Sequence, residues 1–216
     1  MAKKGLNKGL FITFEGPEGC GKTTQSRLLY DYLRRFYACV YTREPGGTAL
    51  GERIRRVLLN SKDIEISDLA ELFLFEACRA QIVEEVIKPS LARGKIVICD
   101  RFNDATFAYQ GYGGKIPLAA IMALDRIATK GLKPDLTILL DVETLTGLKR
   151  AKRKGVDRME RKNAAYHRRV RLGYLKLAKQ EPDRIRVIKV TDSIGKTQKF
   201  VRQEVERVVR RYKGAR

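Results

Sequence analysis

The sequence predicts an α/β fold: a five-stranded parallel sheet flanked by helices, in three layers. Five short β-prone runs are almost continuously apolar, as strands covered on both faces are. The stretches between them carry apolar residues at helical spacing. Strands and helices alternate along the chain, which calls for right-handed crossovers within one sheet.

In chain order the predicted strands are Leu10–Phe14, Cys39–Thr42, Ile96–Cys99, Leu136–Leu140 and Ile185–Val190. The first is followed by a glycine-rich turn and a helix over Thr23–Phe36. Helical spacing then recurs over Leu69–Leu91, Pro117–Thr129 and Ala164–Lys179. The tail 196–216 is a terminal helix that docks through Phe200, Val201, Val205, Val208 and Val209 and turns its cations outward. There is no internal repeat and no low-complexity linker, so residues 1–216 are expected to form one domain.

With 44% hydrophobic residues the chain can bury a core and is not a disordered segment. The apolar run after the basic Met1–Lys8 is too short for a signal-peptide core. No stretch approaches the ~18 apolar residues of a membrane span. A cytoplasmic protein without a membrane partner is expected. Four scattered cysteines and a lone His167 give neither metal-site spacing nor a disulfide framework. The net charge of +20 favours anionic partners, and most of the excess falls in residues 145–171 and 196–216.

In parallel sheets ligands bind beyond the carboxyl ends of the strands. After the first strand comes Gly16-Pro17-Glu18-Gly19-Cys20-Gly21-Lys22-Thr23, which fits GxxxxGK[ST] without mismatch, with Thr24 next. Glycines let backbone N–H groups turn inward onto phosphate oxygens, and the next helix adds its positive end. Lys22 can reach the β- and γ-phosphates and Thr23 can hold Mg²⁺. The third strand ends in Asp100, an acid placed to face the same ion. ATP and Mg²⁺ are the expected cofactors, in a P-loop NTPase fold.

Further segments carry a resemblance. Arg43-Glu-Pro45-Gly-Gly47, Leu72–Arg79, Asp100–Gly111, Gly131–Leu140 and Asp157-Arg158-Met-Glu160 resemble the thymidylate kinase family of the bacterial type. That resemblance implies transfer of the ATP γ-phosphate to dTMP in dTTP synthesis, by a homodimer. It implies a cis bond before Pro45, with Arg43 and Pro45 shaping the acceptor site. Arg55 and Arg101 are implied to hold the acceptor phosphate, a task suited to guanidinium forks. Phe75 is implied to stack on thymine, with Arg79 on a base carbonyl, and their spacing of four puts both on one helix face. Thr106 and Gln110 are implied to hydrogen-bond the base, and Tyr109 to pack under the deoxyribose. Phe102 and Ala105 depart from the tyrosine and serine frequent at those places, and Ala105 loses a hydroxyl beside the base.

The acceptor is a phosphate monoester, mostly dianionic above its second pKa of about 6, so no general base is required. Catalysis then consists of alignment and charge neutralisation. Residues 146–163 occupy the place of the family's lid. Members of that family carry a catalytic arginine in the P-loop or in the lid. Here the variable P-loop positions hold none, so the resemblance implies one from the lid, Arg150, Arg153 or Arg158, with Arg158 best matched to the family pattern. Glu18 resembles the P-loop acid that orients the acceptor or its hydrated metal.

Two other readings stay open at this point. One is a kinase of the same architecture for UMP or CMP, against which the Thr106/Tyr109/Gln110 segment argues. The other is a basic P-loop ATPase that binds nucleic acid, against which the lack of aromatics among the cations argues.

Overall fold

The computed structural model describes residues 6–60, 64–152 and 157–214. Five parallel strands, β1 (Leu10–Glu15), β2 (Cys39–Arg43), β3 (Ile96–Asp100), β4 (Leu136–Asp141) and β5 (Ile185–Lys189), stand in the order β2-β3-β1-β4-β5. Their centres match the five predicted runs. The helices are α1 (Lys22–Leu33), α2 (Ala49–Asn60), α3 (Asp68–Ile82), α4 (Lys88–Ala92), α5 (Asn103–Thr106), α6 (Leu118–Thr129), α7 (Thr144–Lys152), α8 (Ala164–Gln180) and α9 (Ile194–Gly214). A π-helical turn, Val83–Ile87, joins α3 to α4, and a second, Phe107–Gly113, extends α5.

Side chains alternate across the sheet and build two apolar layers. On one face Leu10, Ile12, Phe14, Ile96, Ile98 and Ile138 meet Leu29 and Leu33 of α1 and Val201, Val205 and Val209 of α9. On the other, Phe11, Val97 and Cys99 meet Ile82, Val83 and Phe102, while Leu139 meets Tyr109, Val170 and Tyr174. The valines of α9 dock as expected, but Phe200 is 48% exposed and belongs to the solvent side.

The strand ends converge because the register is shared. Phe14 and Arg43 both pair with Asp100 across neighbouring strands. The chain leaving each strand is then tied to the next: Arg101 N donates to Phe14 O (3.0 Å) and Glu44 N to Asp100 O (3.0 Å). Since β1 lies between β3 and β4, the crossovers diverge beside it and leave a crevice at its carboxyl end.

Candidate active site

A cleft of about 670 Å³ opens at these strand ends and runs from the P-loop to α3. The loop closes tightly. Gly16 (φ 142°) and Gly19 (φ 66°) adopt backbone that disfavours side chains, and a Cβ on Gly19 would stand 2.0 Å from Gly147 O of α7. The Lys22 ammonium lies across the loop, donating to Gly16 O and Pro17 O, each at 2.9 Å. The Thr23 hydroxyl donates to Asp100 Oδ2 at 2.5 Å. These two oxygens fit a hard divalent cation that completes its shell with phosphate and water. Among the described residues no group of three or more His, Cys, Asp and Glu could hold a metal by itself.

Next to the loop, Arg101 Nη2 donates to Glu18 Oε1 (2.8 Å), and its guanidinium stacks 4.9 Å over the Tyr109 ring. The Tyr109 hydroxyl donates to the same carboxylate oxygen at 2.5 Å. Burial opposes a charge on Glu18, but Arg101, Lys22 and the Tyr109 hydrogen bond outweigh it and hold the carboxyl down to about 2. The strand-end Glu15 is different. Burial and the nearby Asp104 push it up to about 8, while it accepts from Phe102 N and the Tyr174 hydroxyl, both at 2.7 Å. Glu15 thereby fixes the turn that carries Arg101, whose backbone is left-handed (φ 70°).

The far end of the cleft is lined by Phe75, Arg79, Ala105, Thr106, Tyr109 and Gln110. Phe75 is half-buried and forms wall rather than core. Arg79 is 1% exposed: it donates to Glu44 (Nε 3.0 Å, Nη2 2.9 Å), Glu76 (2.5 Å), Phe102 O (3.2 Å) and Thr106 Oγ1 (2.9 Å). Gln110 Nε2 donates to Glu71 Oε1 at 2.8 Å. Beside them the Glu44–Pro45 peptide is cis, Arg55 donates to Pro45 O (2.7 Å) and faces the cleft, and Arg43 is clamped by Glu52.

The lid residues separate. Arg150 lines the cleft near Asp192, 3.6 Å away. Arg153 lies outside the described residues. Arg158 does not line the cleft: its Nη2 is 2.5 Å from Glu71 Oε2 and its Nε donates to Leu58 O. The turn that carries it is closed reciprocally, Glu160 N donating to Asp157 Oδ1 and Asp157 N to Glu160 Oε2. Sequence reading did not assign roles to Glu15, Glu71, Glu76 or Asp125. An acid at the end of an apolar strand was the one signal available, and it pointed to Glu15.

Comparison with known proteins agrees with this geometry. The family model described as thymidylate kinase matches residues 14–201. A thymidylate kinase of a Roseiflexus species is 46% identical over 199 residues, covering 86% of this chain and 88% of its relative. That of Dehalococcoides mccartyi is 46% identical over 202 residues, covering 93% and 98%. The crystal structure of thymidylate kinase from Ehrlichia chaffeensis superimposes with a TM-score of 0.77 at 39% identity, covering 92% of this chain and 99% of that one. No helix among the described residues is long and apolar enough to cross a membrane. These matches favour neither of the two alternative readings, and on the strength of residues 14–201 this chain belongs to the thymidylate kinase family.

Proposed function

We propose that this chain transfers the γ-phosphoryl group of ATP to dTMP, giving dTDP and ADP. One observation carries the reading: the cleft that begins at the phosphate loop ends at an aromatic wall beside Arg79, so two anions fit end to end within it. Gly16–Thr24 would cradle the donor phosphates. Arg55 and Arg101 would grip the acceptor phosphate, with Glu18 holding the Arg101 guanidinium in place. Phe75, Arg79, Thr106, Tyr109 and Gln110 would enclose the base and sugar, within a wall shaped by Arg43 and Pro45.

Thr23 and Asp100 would hold Mg²⁺, which when bound neutralises phosphate oxygens. Lys22, Arg101 and a lid arginine, Arg150 among the described ones, add the protein's own positive charge where the transferring group gathers negative charge. The acceptor dianion needs no base. A homodimer working in the cytoplasm, without membrane or nucleic-acid partners, completes the proposal.

Coupled ADP-release kinetics with Mg-ATP and dTMP, dUMP, UMP or CMP test it. We expect dTMP to have the highest kcat/KM, and Lys22→Ala to lower kcat at least about a hundredfold. Turnover of none of the four, or a Lys22→Ala variant as active as the wild type, overturns the reading.

A further inference from the structure

Glu71 stands at the first turn of α3, 3% exposed, and each of its carboxylate oxygens has one partner. Oε1 accepts from Gln110 Nε2 at 2.8 Å and Oε2 accepts from Arg158 Nη2 at 2.5 Å. One buried carboxylate therefore joins the base end of the cleft to the Asp157–Glu160 turn. An amide side chain presents a donor on one side and an acceptor on the other, and which way it faces is set by its partners. A carboxylate only accepts, so it draws the Nε2 side of Gln110 to itself and leaves Oε1 as the acceptor offered to the cleft.

Resting on the proposed dTMP reading, we infer that Glu71 is a specificity-determining positioning residue, fixing the Gln110 amide so that the cleft accepts a hydrogen bond at pyrimidine N3. A 4-oxo pyrimidine such as thymine carries N–H at N3 and satisfies that acceptor. A 4-amino pyrimidine such as cytosine carries a lone pair at N3 and meets oxygen with nitrogen. Leaving a buried acceptor facing another acceptor is what makes such polar discrimination strong. Arg158 belongs to the device. It occupies the other oxygen of Glu71, and its Nε bond to Leu58 O keeps the guanidinium from turning away.

The arrangement makes an unusual mutational signature. Glu71→Gln is nearly isosteric, but the introduced amide has one accepting atom for two donors. Arg158, charged and anchored, claims it; the introduced NH₂ then faces residue 110 and turns the Gln110 amide around, presenting Nε2 to the cleft. Removing Arg158 in that background frees the introduced oxygen to accept from Gln110 again.

Steady-state kinetics with dTMP and dCMP on wild type, Glu71→Gln, Glu71→Ala and Glu71→Gln/Arg158→Ala read this directly. We expect Glu71→Gln to raise KM for dTMP about tenfold, to leave KM for ATP within about twofold, and to shrink the dTMP-over-dCMP ratio of kcat/KM tenfold or more. The double variant is expected to recover most of the ratio, a non-additivity that a merely structural loss would not give. Glu71→Ala, which leaves the amide free to turn, narrows the ratio as well and carries the test if the glutamine variant does not fold. A folded Glu71→Gln or Glu71→Ala enzyme with the wild-type ratio overturns the inference, as does a double variant worse than the single. A wild type that turns over dTMP while its variants keep its preference removes this inference alone. A wild type inactive on dTMP removes the functional reading beneath it.

Discussion

Arg79 is one buried cation among two buried carboxylates and a half-buried third, and that imbalance has consequences. Glu44 and Glu76 accept its hydrogen bonds, and Asp125 Oδ1 lies 3.7 Å from Nη1. Glu44 Oε1, Glu76 Oε2 and Asp125 Oδ1 have no hydrogen-bond partner. One positive charge cannot compensate three negative ones out of water, so the cluster retains protons. Burial raises Glu44 to about 7 against the pull of Arg79, and it raises Glu76 and Asp125 as well. An acid whose pKa is higher folded than unfolded binds more protons in the native state. Its contribution is complete below the unfolded value and is lost as pH climbs through the folded one. For Glu44 that window runs from the ordinary glutamate value to about 7, and the loss is roughly 3 kcal/mol. Urea unfolding at about pH 5 and pH 8 should show wild-type stability falling with pH, and Glu44→Gln, which mimics the neutral acid, falling less. Glu15, raised to about 8, adds a parallel loss that the variant keeps. Equal slopes would show that Glu44 is ionised throughout. Nothing in the sequence announced this cluster, because Asp125 joins Arg79 only through the packing of α6 on α3.

Elements differed in how plainly the sequence spelled them, and the difference follows burial. The central strands β1, β3 and β4 are covered on both faces, so each is an almost continuous apolar run, while the edge strands β2 and β5 are partly exposed and more mixed. The segment Asn103–Gly113 was recognisable only as a set of resembling residues. Its π-helical turn breaks the 3.6-residue spacing that would mark a helix, yet that wider turn brings Ala105, Thr106, Tyr109 and Gln110 to the cleft together. α2 likewise was not singled out, since its apolar residues stay largely exposed and only Gly51 and Leu58 are buried. The seating of α7 was hidden for another reason, because it depends on an absent side chain. A Cβ on Gly147 would lie 2.3 Å from Glu18 O and 3.1 Å from a Val142 methyl, so helix and phosphate loop touch backbone to backbone. Gly147→Ala should push α7 off the loop, costing about 1–3 kcal/mol of stability. KM for ATP should rise several-fold and more than KM for dTMP, whose base wall lies on other elements. Unchanged ATP kinetics would mean that α7 yields without moving the loop.

At the scale of the molecule, surface character divides by face. Lys and Arg are concentrated in residues 145–171 and in α9, whose inner valines face the sheet. The opposite behaviour is written on α3 and α6, which pack side by side. Leu69 and Phe73 on α3 are 55% and 50% exposed, and Leu118 and Met122 on α6 are 38% and 62% exposed. Each pair is spaced by four, so each forms an outward ridge, and together they make an apolar face that the exposed Arg126 borders on α6. The homodimer proposed above would bury this face against its own copy, since a two-fold axis needs a self-complementary patch. Phe73→Glu with Met122→Glu places four carboxylates at that axis and should yield single chains where light scattering of the wild type finds pairs. The consequence should reach the acceptor site. The outward Phe73 and the cleft-facing Phe75 and Arg79 lie on the same helix, so a dimer that steadies α3 also steadies the base wall. KM for dTMP should therefore rise in the charged variant while KM for ATP, set by the loop on β1 and α1, stays near its starting value. A wild type that is already monomeric would remove the dimer from the proposal, and a monomeric variant with unaltered dTMP kinetics would show that α3 holds the base wall without help from a partner.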